Sequence, residues 1–166
     1  MTKSLPSVTI VRRIKAPPTK VYAALTEPKL MMRWWGPDAG PTLSAEADVR
    51  PGGRFSIIFR LLNGEEHNPT GVYQEVVPER KLVFTWEWPG MPERESLVTF
   101  LLKPFDGGTE LTLIHEQLPD EAARKSHEDG WRGFLDKLPV FLGDAEGRFD
   151  SYHLRLGSRY AARPCA

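Results

Sequence analysis

Four histidines, His67, His115, His127 and His153, are the side chains of this sequence best suited to moving a proton near neutral pH. Their spacing excludes the paired imidazoles of a zinc-hydrolase helix, since no H-E-x-x-H run occurs. Nucleophilic catalysis would need a Ser, Thr or Cys beside a His that is held by a carboxylate. There is no G-x-S-x-G turn, and the single thiol, Cys165, stands next to the last residue. Gly52-Gly53 and Gly107-Gly108 punctuate turns between strands rather than preceding a helix, so neither forms a phosphate loop. His115 and His127 stand out. Strand alternation puts His115 on one face with Leu111 and Leu113, and helical spacing puts His127 on one face with Trp131. Two imidazoles facing one apolar gap could orient a carbonyl or hydroxyl ligand or transfer a proton; they would equally serve as part-exposed histidines at the mouth of a cavity. Glu116 follows His115 directly, but alternation sends it to the opposite face. No catalytic residue, metal or cofactor is therefore assigned.

Aromatic residues supply the second set of candidates. Trp34 and Trp35 close a short helix ahead of Gly36-Pro37, where a tryptophan could gate a cavity or plug the end of a core. Tyr73 and Trp86 carry polar tips on apolar bodies, a property shared by pocket walls and by cores. Arg54 and Glu87 alternate with Phe55 and with Trp86 and Trp88, and so are expected in solvent.

These residues sit on elements that the periodicity outlines. Val8, Ile10 and Ile14 alternate in a strand over 8–14, with Arg13 on the other face. Pro17-Pro18 ends that strand and suits the first turn of a helix over 18–26, followed by a second over 28–34. Strand signals then run over 43–49, 53–62, 68–77, 80–88, 95–103 and 109–117. The links between them are short, as at Asn63-Gly64 and Asp106-Gly107-Gly108, which favours antiparallel hairpins. From Pro119 the period changes to three and four. His127, Trp131, Phe134, Leu135, Leu138, Phe141 and Leu142 form one stripe on a helix over 119–142, which Pro139 should kink or weaken near its end. The expected fold is α+β: a curved antiparallel sheet of six to seven strands around one long helix. One helix can cover so wide a sheet only if the sheet curls, and a curled sheet tends to leave a gap. That gap is expected to be a cavity of roughly a few hundred Å3. Its expected ligand-binding walls are Trp35, Phe55, Ile57, Phe59, Tyr73, Phe84, Trp86, Trp88, Phe100 and Leu113 with His115, and, from the helix, His127, Trp131 and Leu135.

Composition narrows the function further. Lys+Arg and Asp+Glu are 22 each among 166 residues, so there is no basic excess to attract nucleic acid. No signal peptide and no membrane span are expected, and the chain is placed in the cytoplasm. One domain is expected over 1–143. Residues 144–166 are read as a tail without periodicity, with rapid amide exchange beyond about Arg155.

Five stretches resemble the SRPBCC (START-like, Bet v-like, helix-grip) superfamily, in the branch similar to the C-terminal domain of the heat-shock-protein ATPase activator. They are APPTKVYAALTEPKLMMRWWGP at 16–37, RPGGRF at 50–55, GVYQEVVPERKLVFTWEW at 71–88, GGTELTLIHE at 107–116 and DGWRGFLDKL at 129–138. The resemblance implies a helix-grip fold. It implies as function the binding of a hydrophobic or aromatic small molecule in a central cavity, by a monomer or homodimer. The alternatives it leaves open are a co-chaperone module acting on a heat-shock ATPase, in a stress response, and a cyclase- or hydrolase-like enzyme using the same cavity.

Overall fold

A computed structural model describes residues 5–143. The chain forms β1 (Val8–Ile14), α1 (Pro18–Thr26), α2 (Pro28–Trp34), β2 (Thr42–Ala47), β3 (Arg54–Arg60), β4 (Glu66–His67), β5 (Thr70–Val77), β6 (Lys81–Trp86), β7 (Ser96–Phe105), β8 (Gly108–Glu116) and α3 (Glu121–Phe141). Seven strands build one curled antiparallel sheet in the order β1-β8-β7-β6-β5-β3-β2, and the two-residue β4 pairs with β3 off this path. The α+β architecture expected from the periodicity, a curved antiparallel sheet around one long helix, is the one observed.

Local chemistry explains the connections. β7 and β8 are joined through Asp106 and Gly107, both at positive φ (48° and 80°), the backbone of a two-residue hairpin whose twist matches its strands. Asp120 caps α3 by accepting from the Ala123 N–H at 2.8 Å, and Glu121 follows in the positive first turn. Pro139 does not stop the helix, which runs on to Phe141. A proline this near the C-terminus removes one bond from a turn whose carbonyls are already short of partners.

The concave face is filled by the side chains that alternation selects. Phe55, Ile57 and Phe59 of β3, Leu82, Phe84 and Trp86 of β6, Val98 and Phe100 of β7, and Leu111 and Leu113 of β8 are all buried. They meet Trp131, Phe134, Leu135 and Leu138 of α3 in one core. Alternation places Arg12 on the inward face with Ile10 and Ile14. Its guanidinium reaches Asp136 on α3 at 3.3 Å, with only 11% and 4% of the two side chains exposed. Desolvation by burial lowers the Arg12 pKa, and Asp136 opposes that shift. A pair this buried adds little net stability, but it fixes which face of α3 lies against β1.

Two close approaches leave no room for a side chain. A Cβ on Gly71 would sit 1.9 Å from Thr85 O and 2.5 Å from the Phe55 ring, which lies over the glycine. On α3, a Cβ at Gly133 would sit 2.0 Å from Pro37 O. Gly→Ala inside a helix ordinarily adds about 1 kcal/mol. Here Gly133→Ala must push α3 off the loop after α2, so we expect a loss of about 1–3 kcal/mol in chemical denaturation. A gain in stability would show that α3 and this loop do not touch.

Candidate functional site

The two histidines singled out by spacing do come together. The His115 and His127 rings lie edge to face with centroids 4.8 Å apart. Neither borders an opening, however; they are 0% and 1% exposed. Their hydrogen bonds fix their tautomers. The Trp131 indole can only donate, and it donates to His115 Nδ1 at 2.9 Å. His115 must then carry its proton on Nε2, which donates to Ser96 Oγ at 2.6 Å; the Ser96 hydroxyl points on to Trp86 O at 3.5 Å. Both nitrogens of His115 are thus engaged, and accepting a proton would break the bond to Trp131. Burial holds His115 well below the ordinary imidazole value, and His127 pushes the same way. His127 donates from Nδ1 to Ala123 O at 2.7 Å, and its Nε2 is buried without a partner. Burial lowers its pKa, the Ala123 carbonyl opposes the shift, and the Arg94 charge adds to it. Two neutral imidazoles, one fully committed to an indole and a hydroxyl, make a packed polar link between α3 and the sheet.

Ser96 was not singled out by the sequence, although a signal existed: it is in phase with the inward Val98 and Phe100. Arg54 and Glu87 do face outward, and they pair at 3.1 Å.

The space expected at the centre is closed. The void bordered by Leu25, Trp35, Phe55, Ile57, Tyr73, Phe84 and Phe100 measures about 10 Å3, too small for any organic ligand. The expectation of a cavity of a few hundred Å3 there is corrected by the rings themselves. Trp86 and Trp131 stand 5.2 Å apart, Trp131 and Phe134 4.8 Å, and Phe55 and Phe84 5.2 Å. Phe59, Leu113 and Leu135 are buried in the same core, and burial raises the Tyr73 pKa. Trp35 packs edge-on against Phe134 at 5.2 Å, while Trp34 donates from its indole to Ala24 O at 2.9 Å; the two tryptophans plug the end of the core.

Open space lies at the rim instead. A groove of about 440 Å3 runs between α2, the loop after it and the end of α3, with Met32, Trp34, Trp35, Pro41, Val140 and Phe141 among its walls. Lys137 stands in the same lining. Its Nζ donates to Asp38 O at 2.6 Å, and burial lowers its pKa to about 8 against the opposing charge of Asp38. The buried Asp38 carboxylate accepts from the Gly40 and Leu62 N–H groups at 2.8 and 3.0 Å, which shapes the loop. Of the side chains expected to touch ligand, Trp35 reaches this groove. Trp88 reaches a smaller recess, of about 280 Å3, with His67, Met91 and Arg94. Among the described residues, no group of His, Cys, Asp or Glu converges in a way that could hold a metal ion.

A sheet curled round one long helix, with two short helices after its first strand, defines a helix-grip protein of the SRPBCC, START-like class. Residues 15–143 match the model of the family described as Activator of Hsp90 ATPase homolog 1-like protein, and the chain belongs to that family. Solved structures share its fold. A protein of Chromobacterium violaceum is 26% identical, with a TM-score of 0.74 over 82% of this chain and 96% of its own. One from Nitrosomonas europaea is 24% identical, with a TM-score of 0.72 over 89% and 99%. An AHSA1-like protein of Aeromonas hydrophila is 20% identical, with a TM-score of 0.71 over 85% and 94%. No curated protein matches the sequence significantly.

Two outcomes are expected from this site. The folded state keeps the imidazoles of His115 and His127 neutral, whereas the unfolded chain protonates them below about pH 6.5. Unfolded protein then binds more protons than folded, so stability is complete above pH 6.5 and falls as the pH drops towards the lowered folded values. Denaturation at pH 7.5 and 5.5 should differ by up to about 1.4 kcal/mol for each imidazole kept neutral. Equal stabilities would refute neutral burial. Secondly, Trp131→Phe removes the donor to His115 Nδ1 and should cost about 1–3 kcal/mol while raising the His115 pKa, followed by NMR titration of its ring protons. An unmoved titration would mean that the indole does not hold this tautomer.

Proposed function

We propose that this protein binds a hydrophobic or aromatic small molecule, and that the ligand lies in the rim groove beside α2 and α3 rather than at the packed centre. The observation that supports this reading is the groove itself. It has the volume of a small-ligand site, with mostly apolar walls and a few polar groups able to orient an occupant. Met32 and Val140 leave 39% and 48% of their surface exposed there, surface that a ligand would take out of water at about 25 cal/mol per Å2. Lys137 supplies a half-buried donor on one side, suited to a carbonyl or hydroxyl oxygen.

Titration with the neutral aromatic 2-naphthol, followed through backbone amide shifts, tests the reading. Saturable shifts confined to residues 32–42 and 137–141 are expected. Val140→Glu, an exposed position, should weaken binding at least about tenfold, or 1.4 kcal/mol. Absence of saturable shifts in these segments would sink the proposal.

A second reading, contact with a heat-shock ATPase, is favoured by the description of the matched family. Stimulation of such an ATPase by the purified chain would support it. Ligand binding without stimulation would leave the first reading standing alone.

A further inference from the structure

The recess at the other rim of the sheet has a different chemistry. Its walls are His67 of β4, Trp88 just beyond β6, and Met91 and Arg94 of the link to β7. Three of its features are unspent. The Arg94 side chain is half-buried, and no carboxylate pairs with it among the described residues, although most arginines of the sheet and of α3 are paired. His67 Nε2 is buried and has no partner. Met91 is 44% exposed over a recess of about 280 Å3. The aromatic floor is packed. His67 stacks on Phe59 at 5.6 Å and meets Trp88 edge-on at 5.9 Å, and Trp88 in turn rests on His127 at 6.0 Å. The Arg94 backbone N–H is fixed to Met91 O at 3.0 Å, in the short 3-10 turn Pro92–Arg94.

We infer that this recess is a second binding site, built for an aromatic carboxylate of one or two rings. The ring lies between Trp88 and Met91, where an indole and a thioether give dispersion and sulfur–aromatic contacts. The carboxylate meets the Arg94 guanidinium, whose planar fork matches two oxygens at once. The volume admits one or two fused rings and excludes longer lipids. The class is distinct from that of the α2–α3 groove, and the two sites share no lining residue.

The experiment uses the full chain and two probes of one shape, 2-naphthoate and the neutral 2-naphthamide, followed by amide and indole NMR shifts. We expect 2-naphthoate to shift residues 67 and 88–94 saturably, with the amide at least tenfold weaker there. Arg94→Gln should abolish that preference, whereas substitution of Arg33, which lines the α2–α3 groove, by Gln (Arg33→Gln) should leave it intact. Met91→Ala should weaken both probes severalfold. Equal binding of acid and amide, naphthoate shifts restricted to residues 32–42 and 137–141, or no saturable shift would each overturn the assignment. Because the two sites report through different residues, failure here is separable from failure of the rim-groove reading.

Discussion

The indole of Trp131 holds this molecule together by two means at once. Its rings stand against Trp86, Phe100 and Phe134, and its N–H ends on His115 Nδ1. An indole buries about 150–250 Å2, and a buried donor without a partner would cost about 1–3 kcal/mol. The sheet must therefore curl far enough to bring β8 and its histidine to the helix. Once His115 accepts there, its other nitrogen must donate, and Ser96 on β7 is the group that receives it. One bond orders a helix and two adjacent strands.

The same constraint decides where a ligand can go. A concave sheet lined by Phe55, Phe59, Phe84, Trp86 and Phe100 has enough aromatic volume to meet the helix face directly. Interiors pack to the density of organic crystals, so the centre closes to a void of about 10 Å3. Space survives where the helix leaves the sheet, at both rims. There the walls are made by loops and by element ends rather than by facing side chains. The groove beside α2 depends on Asp38 and Lys137, which tie the loop to its own backbone, to the turn after β3 and to α3. The recess by Trp88 depends on the short turn carrying Arg94.

Chemistry in the core is correspondingly quiet. A general base needs a free nitrogen within reach of a reacting proton. His115 has none, and His127 offers one buried lone pair with no carboxylate held against its other nitrogen. The pair acts as a polar seam whose neutrality is required by burial. The charges that do matter to the fold sit at its boundary, in Arg12 and Asp136, where two buried ions set the rotation of α3 on β1.

Much of this was legible in the residues alone. The period of two in VTIVRRI and RFSIIF, and the period of three to four from His127 to Leu138, depend only on local geometry, so strands, helices and their inward faces follow from them. The meeting of His115 with His127 was also readable, because each lies on an inward face of its own element. What alternation could not reveal was distance. Whether Phe84 and Trp131 leave a gap or touch depends on how tightly the sheet curls, a sum of twists and bulges over seven strands, such as the register shift at Tyr73–Glu75. The bond from Trp131 to His115 likewise joins residues 16 positions apart, and that from Lys137 to Asp38 joins residues 99 apart. Sequence determined the faces, because a side chain's direction is set by its own backbone. Tertiary structure alone decided that the centre is solid and the rims are open, because packing is a property of facing surfaces and no single segment contains both.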